Sequence, residues 1–507
     1  MWKSLPLIAA IIFFPMTTLL ANAPGQPETG GDQNMIERLN QLEAETQALR
    51  AEVQRLRQEA QPYASFDSTS RPTPVTTVSN PSDAVAPAPP VPWTMPLAAS
   101  SPPVAPLPAT PQPVALQPAA PEEDYYTLDQ IKAEMKKLVW KKGDFSITPY
   151  GYLWAAMTYE TERSNNGDFT YYVYSAQDQG EPTFHVDAKS TRIGFDMLGP
   201  RIPGLNYAVS GGKIEFDFQG ASTQENKGTV LLRHAYWEVK NEEFRLLGGQ
   251  TWDVISPLYP GTIMYTVYWA AGNIGYRRAQ FRGERYIAFS DLLLWTTQGS
   301  INGNIIADTA PTGVTATGDQ TEWPILEGRT ALTFGPRGKG DHPITLGVSG
   351  HVGEQRYDFT SPLPAVKNLR AKTWSFNVDL KAPITDRLGF QGEYYIGENL
   401  SAYQGGILQG YNFLLRKSIY DTGGWLEIWY DWTPQWHSHV GYTIDDPLNS
   451  DIPAGGRTYN QAYWGNLIYD VTKQFNCGLE VSSWRTLYNG KTPGESVRIE
   501  FMARYGF

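Results

Sequence analysis

Arg278, Gln280, Arg282 and Glu284 stand at alternate positions in the run Arg277–Arg285. In an extended strand every second side chain points to one face, so these four form a single polar stripe with guanidinium groups about 7 Å apart. A guanidinium meets planar carboxylate or phosphate groups through paired N–H donors, so the stripe suits small anions moving past. Arg192 and Arg233 are further cations for the same path. Carboxylates recur on other alternating faces, with Lys213, Glu215 and Asp217 on one, and Glu327, Asp379, Glu393 and Glu500 elsewhere. Cations facing carboxylates across an aqueous lumen set up a transverse field. The competing expectation is that these charges only pair with one another and keep the interior wet.

Bond-breaking chemistry has weaker support. His437 and His439 share a strand face, as a metal pair would, but no third ligand stands near them, and two lumenal histidines are the simpler expectation. Glu393 and Glu427 have the types of a hydrolytic pair, yet paired charges belong to any pore. Gly248-Gly249 sits between alternating strand residues rather than in a phosphate loop. Cys477, the only cysteine, precedes Leu479 and Val481 on an apolar strand face, which excludes a disulfide framework and reads as packing. The expectation is a non-enzymatic chain without cofactor or metal.

The elements that must position these residues are strands. From Asp144 to Phe507 the dominant period is two, as in Lys213-Ile214-Glu215-Phe216-Asp217-Phe218-Gln219 and in Thr373 to Leu380. A soluble sandwich would bury the apolar face, whereas a membrane barrel turns it to lipid and lines a lumen with the polar face. Strands of about 10 to 16 residues exceed the usual soluble length of five or six. Short turns at 199–204 and 384–387 alternate with long polar loops at 162–182, 301–322, 356–368 and 446–458, an asymmetry typical of barrels. Tyr150, Tyr152 and Trp154, with Trp425, Trp429, Tyr430, Trp432, Trp436 and Tyr442, suit interfacial girdles. The expected fold is all-β: a transmembrane antiparallel barrel of about 16 strands over 144–507, ending in the signature residue Phe507. A barrel of that width leaves a water channel. The segment Asp253–Tyr276 is apolar and aromatic and fits neither strand nor turn. It is expected to fold into the lumen or against a neighbouring subunit, unless it is a surface loop packed on itself.

The N-terminal part is of another kind. Residues 1–23 have a basic start, an apolar run and an Ala21-Asn22-Ala23 end, as in a secretory signal peptide, although Pro24 is a poor residue after a cleavage site; a retained anchor is the alternative. Residues 30–61 carry heptads with Met35, Leu42, Leu49 and Leu56 at d and Leu39, Thr46 and Val53 at a. Arg38 with Glu43, Glu45 with Arg50, and Glu52 with Arg57 are opposite in sign at g and e, which predicts a parallel homo-oligomeric coiled coil. Residues 62–122 are rich in Pro and Ala, either an extended spacer or a disordered insert. A short helix is expected over 123–143, started by Thr127 and Gln130 at capping-box spacing. The net charge of -11 argues against nucleic acid. No apolar run after the N-terminus is long enough for helical membrane spans.

The runs Ser190-Thr191-Arg192-Ile193-Gly194-Phe195-Asp196, Leu232-Arg233-His234-Ala235-Tyr236 and Leu247-Gly248-Gly249-Gln250-Thr251-Trp252, in that order after an N-terminal coil, resemble the DcaP-like family of trimeric outer-membrane porins. The resemblance covers the first half of the barrel; the second half matches in strand rhythm and the terminal Phe507. It implies a homotrimer in the outer membrane, passive diffusion, and small anionic solutes such as dicarboxylates, with Arg192, Arg233, Arg278 and Arg282 on the solute path. The expectation is therefore a porin whose coil and linker lie in the periplasm. The alternative is an envelope tether in which coil and linker bind cell wall or a periplasmic partner and the barrel is an anchor.

Overall fold

A computed structural model describes residues 139–220, 227–305, 310–316, 322–338, 340–361 and 363–507. The signal peptide, the coil with its core Met35, Leu39, Leu42, Thr46, Leu49, Val53 and Leu56, the Pro/Ala linker and most of the short helix lie outside the described residues. The last residues expected in that helix, Trp140–Lys142, form a strand instead, turned back at Gly143 (φ 62°) to pair with the start of the barrel.

One antiparallel sheet holds nineteen strands; three are additions of three to five residues, Trp140–Lys142, Thr183–Asp187 and Val314–Ala316. The remaining sixteen close into a barrel: β1 Phe145–Glu160, β2 Arg192–Ile202, β3 Ala208–Asp217, β4 Leu231–Lys240, β5 Phe244–Trp252, β6 Arg277–Ser290, β7 Leu293–Asn302, β8 Ile325–Phe334, β9 Ile344–Phe359, β10 Val366–Pro383, β11 Leu388–Glu398, β12 Tyr420–Asp431, β13 Trp436–Pro447, β14 Arg457–Asp470, β15 Phe475–Tyr488 and β16 Lys491–Gly506. Each strand pairs with its sequence neighbour, and β16 returns to β1 from Tyr152↔Gly506 to Glu160↔Arg498. Phe507 completes the seam by exchanging backbone hydrogen bonds with Gly151, its N–H donating at 3.0 Å and its carbonyl accepting at 3.2 Å. Closure leaves no unpaired edge, the only way a sheet can lie in hydrocarbon.

The alternation resolves into two faces. Leu326, Phe376, Leu426, Ile428, Val440, Leu479, Val481, Ile499 and Phe501 are exposed on the outside, while Glu327, Asn377, Glu427, Asn466, Glu480 and Arg498 between or beside them are buried inside. Such an inversion suits a wall with lipid outside. At the end where the chain enters and leaves the barrel, the turns are short, as at 241–243, 291–292, 384–387 and 432–435. The connections that leave β1, β3, β5, β7 and β11 at the other end are longer.

Several expected boundaries shift. The turn expected at 199–204 lies beyond Ile202, in a 3-10 turn over Pro203–Leu205 with Asn206 in the left-handed region. The loop expected at 356–368 shrinks to 360–365, because Tyr357 and Phe359 pack inside against Tyr411 and Ala371 and carry β9 upward. Aromatics divide between faces. Tyr430, Trp432, Trp436 and Tyr469 gather at the short-turn end, with Trp436 stacked on Tyr469 at 4.4 Å. Trp425 is inside, its indole N–H donating to Glu393 at 3.2 Å, and Tyr150 is inside, its hydroxyl donating to Glu215 at 2.7 Å; neither belongs to a girdle.

Candidate functional site

β5 is nine residues long, so the chain leaves the wall at Trp252 and rejoins it only at Arg277. The intervening segment bends into the barrel. Its base is closed by the Asp253 carboxylate, which accepts from the Tyr276 N–H at 2.9 Å and from Arg278 Nε at 2.6 Å. From there the segment crosses the inner wall on a ladder of glutamates. The N–H of Val254 donates to Glu327 on β8 at 2.8 Å, that of Leu258 to Glu393 on β11 at 2.7 Å, that of Gly261 to Glu427 on β12 at 2.5 Å, and that of Ile263 to Glu480 on β15 at 3.1 Å. Backbone carbonyls are met as well, with Gln391 donating to the Tyr259 oxygen at 2.9 Å and Asn466 to the Gly261 oxygen at 2.8 Å. An irregular backbone inside a membrane barrel must have its polar groups satisfied by protein or water, and the wall supplies that need side chain by side chain.

Beyond the ladder the segment becomes apolar. Tyr268 stacks on Trp464 at 4.4 Å and on Trp484 at 5.4 Å, in a cluster with Phe169, Val173, Met264, Trp425 and Ala462. Its hydroxyl donates to Glu480 at 3.0 Å, and burial beside that carboxylate pushes the phenol well above its ordinary value, so it stays a donor. The return run is tied by Asn460 to the Ala270 carbonyl at 2.8 Å, by Thr443 to that of Ala271, and through the Gly275 N–H to the Tyr403 carbonyl at 2.8 Å. Gly272, at φ 119°, approaches the wall so closely that a Cβ would lie 2.3 Å from the Gly424 oxygen and 2.5 Å from that of Ile444. Part of 161–182 and of 399–419 also turns inward: Phe169, Val173, Tyr403 and Ile407 are all buried.

Arg192, Lys213, Glu215, Asp217 and Arg233 meet on the inner face of β2–β4. Arg233, the extra residue of a bulge opposite Glu215, donates to Glu215 at 2.7 Å and to Asp217 at 2.8 Å. Arg192 lies 3.6 Å from Glu215, and Lys213 pairs with Asp196 at 3.0 Å. Arg278, Gln280, Arg282 and Glu284 share one inner stripe of β6, yet they are bound to the segment's base and to one another. Arg278 is 1% exposed, held by Asp253, by the Ala402 carbonyl at 3.2 Å and by the Tyr403 ring 3.9 Å from its Cζ. Gln280 donates to the Trp252 carbonyl at 2.9 Å; Arg282 donates to that carbonyl, to Gln280 at 2.8 Å and to Glu284 at 3.3 Å. Asp379 pairs with Arg329 at 2.6 Å, and Glu393 belongs to the ladder. His437 sits between Asp431 at 2.6 Å and Asp470 at 3.3 Å, apart from His439, which lies 3.6 Å from Glu427. Arg245, Arg329, Glu480 and Arg498 belong to this interior without having been singled out in the sequence. Arg245, Glu480 and Arg498 alternate with apolar neighbours, as in Leu479-Glu480-Val481, and that pattern is the available signal; Arg329, between Gly328 and Thr330, carries none.

The solved outer-membrane channel DcaP of Acinetobacter baumannii aligns with a TM-score of 0.58 at 19% identity, over 72% of this chain and 99% of that one. The wall shares its fold with DcaP. The anion-selective porin from Comamonas acidovorans (TM-score 0.45, 11% identity, 72% of this chain and 100% of that one) and Pseudomonas putida OprB (0.47, 9%, 74% and 96%) align less well. No protein-family model and no curated protein matches the sequence.

Proposed function

We propose that the chain is a DcaP-like porin of the outer membrane, passing small hydrophilic solutes, preferably anions of the dicarboxylate type, by passive diffusion. The reading is carried by one observation: Glu393, Glu427 and Glu480 are spent on the inlaid segment, while cations across the barrel keep part of their surface free. The side chains of Arg192, Lys213 and Arg245 are 22%, 26% and 21% exposed. A carboxylate that accepts several N–H donors offers little to a passing cation, whereas a partly exposed guanidinium still has donors for an anion. The fold shared with DcaP and the apolar outer face support a location in the outer membrane. Arg192, Lys213, Glu215, Asp217, Arg233, Arg278, Gln280, Arg282, Asp379 and Glu393 form the lumenal surface or its supports in this reading. The resemblance and the heptads of 30–61 support a homotrimer, with coil and linker in the periplasm. The test is reconstitution in planar bilayers under a KCl gradient: stepwise conductance with a reversal potential of anion-selective sign is expected, and silence under all conditions would overturn it.

The tether remains a second reading. It is favoured by the Trp140–Lys142 strand, which brings the chain to the barrel at the short-turn end. Deleting 30–122 should then detach the barrel from the cell-wall fraction and leave conductance intact. An unchanged association with that fraction would exclude the tether.

A further inference from the structure

Most arginines of the inner face are paired. Arg233, Arg245, Arg278, Arg282, Arg329 and Arg498 each have a carboxylate oxygen at 2.6–3.3 Å. Arg277 differs from all of them. Among the described residues no carboxylate pairs with it, and its Nη1 and Nη2 atoms are buried without a hydrogen-bond acceptor. The residue is 2% exposed. Its guanidinium lies against three rings instead, with Cζ 4.5 Å from the centre of Trp252, 5.0 Å from Tyr276 and 5.6 Å from Trp269.

An aromatic face attracts a cation but carries no net charge, so the positive charge of Arg277 is softened and not cancelled. A close ion pair projects only a dipole into its surroundings; a lone charge in low-dielectric protein reaches farther. Keeping such a charge buried is costly, and costs of that kind gather where function requires them. The position is apt. Arg277 pairs across the hairpin with Trp252, where β5 and β6 part and the inlaid segment begins. The Trp252 ring in turn reaches the wall at His234 (6.0 Å) and the segment at Tyr259 (4.8 Å).

We propose that Arg277, at the base of the inlaid segment, is a specificity-determining charge of the lumen, making the potential there more positive and so favouring small carboxylates and inorganic anions over cations. The field acts through the wall of rings and needs no contact with the solute. The proposal rests on the reading of the barrel as an anion-preferring pore. Arg504 and Arg457 are rivals, for neither has a carboxylate partner among the described residues: Arg504 Nε donates to Asn476 at 3.2 Å with its guanidinium over Tyr152 at 5.4 Å, and Arg457 Nε donates to the Ile407 carbonyl at 2.9 Å with its guanidinium over Tyr172 at 4.2 Å. Arg504 lies two residues from the end of β16 and Arg457 at the first residue of β14, and both are only partly buried, so salt screens them more.

The experiment is the chloride-to-potassium permeability ratio, taken from reversal potentials of the full-length protein under a KCl gradient. Arg277→Met should lower the ratio at least about threefold, as expected for removal of one weakly screened charge, and Arg277→Lys should keep it. Tyr276→Glu leaves Arg277 in place and sets a carboxylate beside it; the ratio should fall as in Arg277→Met. Arg485→Gln with Glu495→Gln removes an exposed ion pair (3.0 Å) and should leave the ratio unchanged, and Arg504→Met or Arg457→Met should move it less than Arg277→Met. Folding is checked by heat-modifiable mobility, and if Arg277→Met fails to fold, Tyr276→Glu and Arg277→Lys still decide. Wild-type ratios in both Arg277→Met and Tyr276→Glu, or a larger loss in Arg504→Met, would overturn the role of Arg277. A conducting wild type without anion preference would instead overturn the pore reading beneath it.

Discussion

Glu480 on β15 accepts the backbone N–H of Ile263 at 3.1 Å, across 217 residues of chain. The same carboxylate accepts the Thr262 hydroxyl at 2.7 Å, the Tyr268 hydroxyl at 3.0 Å and the Asn466 amide at 3.0 Å. All four of these hydrogen-bond partners are donors, a set that an acceptor-only carboxylate serves, while Glu500 stands opposite across the β15–β16 ladder.

Glu480→Gln therefore sets an NH2 group against donors. It should cost about 2 kcal/mol, in the range for hydrogen bonds to a charged group. Loss of the heat-modifiable form at lower temperature reports the destabilisation. A loosened segment should also raise single-channel conductance and admit larger sugars in liposome swelling; unchanged values on both counts would remove Glu480 from the role of holding the segment.

Asp253 and Arg278 are a buried pair, so breaking them should hurt more than removing both. Arg278→Met leaves a buried carboxylate without its cation and should cost about 3–5 kcal/mol, with the Asp253→Asn/Arg278→Met double variant closer to wild type. Thermal unfolding of the four proteins of the cycle supplies the coupling energy.

Gly272 is required twice over, by φ 119° and by the two wall carbonyls its Cβ would strike. Gly272→Ala should prevent the return run from seating, since neither carbonyl can move without disturbing the β12–β13 ladder, where Gly424 and Ile444 stand opposite each other. Noisy or enlarged conductance from a barrel that still inserts is the expected sign.

Val440 is exposed in mid-strand on the outer face of β13. Val440→Arg should cost about 2–4 kcal/mol if that face meets the middle of the bilayer. Insertion yield into lipid vesicles checks this, and an undisturbed yield would contradict the lipid-facing assignment.

Period-two alternation let the sequence alone assign an all-β barrel of about sixteen strands and set Arg278, Gln280 and Arg282 on one face, because a strand's geometry admits no other periodicity. The aromatic, turn-poor run Asp253–Tyr276 likewise stood out as neither strand nor turn. Which surface it would lie on could not be read, because its partners are single glutamates on four strands, each indistinguishable in sequence from any solvated strand residue. Trp425 shows the same limit: a tryptophan serves a girdle or a lumenal cluster equally well, and only its register opposite Glu393 puts it inside. Arg277 and Arg278 are the sharpest case. Alternation sends adjacent side chains to opposite faces, but the inward bend at the start of β6 buries both, one against a carboxylate and the other against rings. That separation depends on contacts distant in sequence, which tertiary packing alone supplies.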